Sequence, residues 1–122
     1  MNRVEIVRAL TVLLLAVLGS TATVAQETVT AVAGAGSRTC AQMETDIADL
    51  PNVRRAYVSW MQGYLSGRNA AREAAQLELV DIADYEAQWE WIVAWCDERP
   101  ERGFVEAVGA MFDDRAARLS RQ

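Results

Sequence analysis

The sequence predicts an all-α fold, a small domain of four to five helices with one interhelical disulfide. From Thr39 onward, apolar residues recur at helical spacing in successive segments. Prolines and capping residues separate those segments. The only two cysteines, Cys40 and Cys96, fall at the start of the first clear helix and the end of the third, each on an apolar face.

The segment before this domain has a different character. Arg3 and Arg8 precede an uncharged apolar run, Ala9 to Ser20, and small residues follow, with cleavage expected after Ala22 or after Ala25. Residues 1–25 therefore have the layout of a secretory signal peptide. An uncleaved anchor is the alternative, but a bilayer span needs about 20 apolar residues and this core is shorter. Residues 26–38 read as a flexible leader of small and polar residues with two glycines, leaving 39–122 as a single helical domain.

Thr39 and Gln42 form a capping box for the first helix, in which Cys40, Met43, Ile47 and Leu50 share a face. Pro51 ends it by pushing the preceding residue out of helical geometry and is itself suited to open the next helix. The second helix carries Val53, Ala56, Tyr57, Trp60, Met61 and Tyr64 as its apolar stripe. Gly63 and Gly67 lie at the edge of that stripe. A helical glycine costs about 1 kcal/mol against alanine, so the pair predicts close packing of another helix, inside the monomer or across a homodimer or partner contact. Gly67 is also a candidate C-terminal cap. Residues 69–80 are compatible with a short helix or an excursion. Asp81 or Asp84 caps the third helix, in which Tyr85, Trp89, Ile92, Val93 and Cys96 cluster. Pro100 stops it, and a fourth helix begins near Glu101 with Phe104, Val108, Met111, Phe112 and Leu119 inward.

Charge and composition narrow the function classes. The chain has 17 acidic and 12 basic residues. Leaving out Glu5, Arg3 and Arg8, the part from Gln26 holds 16 and 10, a balance of −6. All the basic residues are arginine. An acidic chain without lysine argues against nucleic-acid binding and against anionic membrane surfaces. With no histidine, Ser-His-Asp and Cys-His catalysis are ruled out, and no close cysteine spacing suggests a metal site. The pair Glu86 and Glu90 reads as a solvated face, so neither an enzyme nor a cofactor is expected. In an exported small domain one cysteine pair reads as a disulfide, the alternative being two buried thiols. Trp91 and Trp95 lie to one side of the core stripe. Either the fourth helix or the leader covers them, or they form an exposed aromatic patch for a partner.

The residues "TC" opening the first helix, then "WMQGYLSG", then "WCDERPERGFVEAV" resemble the HdeA/HdeB-type periplasmic proteins over roughly residues 39–112. That resemblance implies a small exported helical protein, a Cys40–Cys96 disulfide joining two helices, no catalytic residues, and acid-activated chaperone activity on unfolded clients. "GYLSG" before a later cysteine is also similar to helical immunity proteins of the Rap/Tai type. Those neutralise type VI secretion toxins, so the alternative is an immunity-type binding protein in the periplasm.

Overall fold

The computed structural model describes residues 32–121. The signal-peptide segment, 1–25, and residues 26–31 of the leader lie outside the described residues. The described chain is helical throughout its core: α1 spans Cys40–Asp49, α2 Arg54–Ala74, α3 Tyr85–Asp97 and α4 Phe104–Leu119. Short 3-10 helices, Gly34–Ser37 and Pro51–Val53, precede α1 and α2.

Local chemistry accounts for most of the boundaries. The Thr39 hydroxyl accepts from the Gln42 N–H at 3.2 Å, and the Gln42 carboxamide oxygen accepts from the Thr39 N–H at 3.0 Å. This is the expected capping box, and it satisfies donors that a helix start leaves open. Pro51 opens a single 3-10 turn, and the α-helical geometry begins only at Arg54. The Asp84 carboxylate caps α3 by accepting from the Ala87 N–H at 3.0 Å. The last helix starts three residues later than the sequence predicts, because Arg99–Gly103 first make a turn that pairs with the start of α1.

Two other expectations are corrected. Gly67 caps nothing, because α2 continues to Ala74 and turns at Gln76, which takes a left-handed conformation with φ of 57°. Residues 69–74 are thus the last turns of α2, and the excursion is confined to 75–84. The leader is also ordered where it is described. Gly34–Ser37 forms a 3-10 turn against α2 and α4, and Gly36 is buried.

The core collects Cys40 and Met43 from α1, Tyr57, Met61 and Leu65 from α2, Trp89, Ile92 and Cys96 from α3, and Phe104, Ala107, Val108, Met111 and Phe112 from α4. Val80, from the excursion, joins them. Each fully buried aliphatic or aromatic side chain contributes on the order of 1.5–3 kcal/mol against exposure. Leu50 and Tyr85, expected inward, are 57% and 46% exposed. Gln88 is the one buried polar side chain among the described residues. Its Oε1 accepts from Gln62 Nε2 at 2.7 Å, while its own Nε2 has no partner.

Candidate functional site: a carboxylate clasp over an aromatic cluster

Cys40 and Cys96 are bonded, with Cα atoms 5.2 Å apart, so the interhelical disulfide expected from the sequence is present. It joins the start of α1 to the end of α3. Around it, the backbone of residues 38–41 pairs with the Pro100–Phe104 turn. Cys40 and Ala41 donate to the carbonyls of Arg102 and Pro100 at 2.8 and 2.9 Å, and Phe104 donates to the Arg38 carbonyl at 2.8 Å. Thr39 and Gly103 form an isolated antiparallel bridge. The open N–H groups at the start of α1 are therefore satisfied by the α3–α4 turn, which fixes the chain entering α1 against the chain entering α4.

This frame presents the Gly34–Ser37 strap to α2. Trp60 lies along it, with its indole N–H donating to the Ala33 carbonyl at 3.0 Å. A Cβ on Gly36 would run into Cζ2 and Cη2 of the Trp60 ring, so the close approach exists only because position 36 is glycine. Beneath the strap the aromatic side chains are in mutual contact. Phe104 is fully buried, with Tyr57 edge-on at 5.1 Å, Trp60 at 5.9 Å and Trp89 at 6.2 Å between ring centroids. Tyr64 stacks on Trp60 at 5.4 Å.

A carboxylate holds the strap in place. Arg38, immediately after it, binds Asp46 of α1 through both arms of its guanidinium, Nε at 2.9 Å and Nη2 at 2.7 Å. The Tyr57 hydroxyl donates to the same carboxylate at 2.5 Å. Forked pairing of this kind is both directional and strong for its class. The Arg38 guanidinium, with Tyr57 adding to it, holds the Asp46 carboxyl below the usual carboxylate range. Burial first, and then the adjoining carboxylate, push the Tyr57 hydroxyl up.

A second carboxylate fastens the other side of the frame. Glu106 accepts from the Gly103 N–H at 2.7 Å and from Arg102 at 2.7 and 3.2 Å. The Gly103 amide is the main reason its carboxyl is also lowered, and Arg102 adds to it. Asp46 thus ties the residue after the strap to α1 and α2, Glu106 ties the α3–α4 turn to the start of α4, and folding favours the ionised form of each.

The glycines singled out from the sequence have another setting. Gly63 and Gly67 are exposed, and a Cβ at either would meet nothing within 4 Å. The expected close packing inside the monomer is absent. The glycine that permits close approach is Gly36, hidden in a stretch that looked like linker. Trp91 and Trp95 are half-buried and pack against the core from its edge. Arg99 lies over the Trp95 ring at 4.8 Å and donates to the Trp95 carbonyl at 3.2 Å. Of the pair Glu86 and Glu90, Glu86 is bonded to Arg54 at 2.5 Å and both are exposed. Among the described residues no group of three His, Cys, Asp or Glu side chains converges to hold a metal ion. No described helix is long and apolar enough to cross a membrane.

The Arg38–Asp46–Tyr57 clasp could not be read from the sequence, because Arg38 precedes α1, Asp46 lies inside it and Tyr57 belongs to the next helix. The one usable signal was Asp46 lying three residues after Met43, beside the apolar face. No family model, curated protein or solved structure matches this chain.

Proposed function

We propose that this chain is an exported, periplasmic stress protein of HdeA/HdeB-like kind that acts as an acid-activated chaperone, without catalytic activity. The carrying observation is the Asp46 carboxylate, which fastens a strap over a contiguous aromatic cluster. Ionised, it is held by Arg38 and Tyr57. Protonated, it loses the charge that favours the forked pair, and so does Glu106 at the neighbouring turn.

The sign follows from the direction of the shifts. A carboxyl whose pKa is lowered by folding stabilises the fold above its unfolded value. That contribution fades as pH falls through the folded value. Both carboxyls are lowered, so the loss falls below about pH 4. Nothing titrates like histidine between about pH 5 and 8, because the chain contains none. Acid strips carboxylates of their charge while arginines keep theirs, so the part from Gln26, with 16 acidic residues and ten arginines, passes from net negative to net positive. Self-repulsion then opens what the clasp held, and Trp60, Tyr57, Tyr64 and Phe104 become available to unfolded clients. The disulfide limits the opening.

Light scattering of an acid-denatured client at about pH 2 tests this reading. Equimolar protein is expected to suppress aggregation on acidification and to do nothing at pH 7. Unchanged scattering at equimolar ratio would rule the chaperone out.

A further inference from the structure

On the far side of α1 from the clasp lies a surface that the acid response does not use. The disulfide joins the start of α1 to the end of α3, and Arg54, opening α2 shortly after α1 ends, pairs with Glu86 in the first turn of α3, so α1 and α3 run antiparallel. They leave between them a groove of about 310 Å³, lined by Met43, Ile47, Ala48, Trp89 and Val93, with Glu44 and Arg54 at its margins. Exposed Leu50 follows at the end of α1.

The charges beside this groove are one-sided. Its single cation is already engaged, for Arg54 stacks over the Trp89 ring at 5.1 Å and its guanidinium pairs with Glu86. Glu86, Glu90 and Asp97 recur along α3 within an arc of about 40° at 100° per residue, and Val93 borders that arc. Glu44, Glu90 and Asp97 are exposed and have no ion-pair partner among the described residues.

We propose that this groove docks an amphipathic, cationic helix of a partner protein. Its apolar residues would seat over Met43, Ile47, Trp89 and Val93, and its Arg or Lys side chains would face Glu44, Glu90 and Asp97. An apolar channel with an aromatic floor suits the helix-in-groove mode of recognition, read at i, i+3, i+4 and i+7. The carboxylates supply attraction during encounter and fix the orientation of the docked helix. They also exclude the alternatives: an anionic membrane is repelled, and a symmetric pairing of the groove with a second copy sets the same carboxylates against each other. This docking belongs to neutral pH, where those carboxylates are ionised, and is independent of acid activation.

The test is fluorescence anisotropy at pH 7 with two labelled helical peptides that share leucines at i, i+3, i+4 and i+7. One carries arginine and the other glutamate at the flanking positions. The arginine peptide is expected to bind in the micromolar range and the glutamate peptide at least about tenfold more weakly. Ala48→Arg puts a good helix former at an exposed position and fills the groove, so it should weaken binding about tenfold or more. Glu44→Gln combined with Glu90→Gln leaves the apolar lining intact. It should weaken binding several-fold and flatten its dependence on salt, and it carries the test if Ala48→Arg melts early. Three results would overturn the proposal: no saturable binding below about 1 mM, equal binding of the two peptides, or indifference to both sets of substitutions. A dimer seen by sedimentation that Ala48→Arg dissociates would also overturn it, since the occupant would then be a second copy.

Discussion

Two glycines in different settings show how little residue identity says without its neighbours. Gly36 faces the Trp60 ring with no room for a methyl group, whereas Gly63 faces open space in mid-helix. Gly36→Ala should destabilise the protein by about 1–3 kcal/mol, the usual cost of overpacking, and shift the tryptophan emission as Trp60 is displaced. Gly63→Ala should raise stability by up to about 1 kcal/mol, because it removes only the entropic cost of a helical glycine. Thermal melting of the two variants side by side checks both signs. At the same scale, Asp46→Asn keeps the shape of the carboxyl and removes its charge. It should loosen the strap at neutral pH and flatten the acid-unfolding profile below about pH 4, read as tryptophan fluorescence against pH. A profile unchanged from wild type would show that Asp46 is not the clasp.

Individual elements were legible in the sequence to the degree that local rules determined them. The capping box at Thr39, the stop at Pro51, the Asp84 cap, the apolar face of α4 and, Tyr85 apart, that of α3 follow from spacing and end chemistry, and the structure contains them. The excursion after α2 was unreadable because a tertiary contact shapes it. The Asn69 side chain donates to the Val80 carbonyl at 2.8 Å and accepts from the Val80 N–H at 3.0 Å, imitating a neighbouring strand. Arg72 adds a bond to the Glu78 carbonyl at 2.6 Å. Val80 is thereby held in the core by an amide eleven residues earlier, a partnership no periodicity announces. Asn69→Ala should cost about 1–3 kcal/mol, because it leaves a buried N–H and C=O without partners. Faster hydrogen exchange at the Val80 amide, with α3 and α4 protection little changed, is the expected signature. The strap was missed for a similar reason: glycine and alanine look like linker until Trp60 is placed beside them.

For the whole molecule, the disulfide is the largest single constraint. It spans a separation of 56 residues, for which loop-closure entropy gives about 4 kcal/mol in the chain-entropy model. Cys96→Ser should therefore lower stability by about 2–5 kcal/mol, out of a total of about 5–15 kcal/mol for a domain of this kind. Thermal melting of the variant, together with thiol titration of the oxidised wild type, checks it. Two reactive thiols in the wild type, or an unchanged melting temperature in the variant, would contradict it.

The bonds from residues 38–41 to residues 100–104 also bear on the order of events during folding. They join stretches roughly sixty positions apart, and such long-range contacts form slowly because the intervening chain must first be gathered. In a chain whose sulfurs are already linked, that search is short, since Cys40 lies inside the first stretch and Cys96 just before the second. The oxidised unfolded protein should therefore regain its native fluorescence much faster than the reduced one. Stopped-flow refolding from denaturant, with and without reductant, measures the ratio. Before the link is made, the strap settles more slowly and Trp60 spends longer open to solvent, so a newly made molecule keeps an aromatic surface exposed for longer at neutral pH.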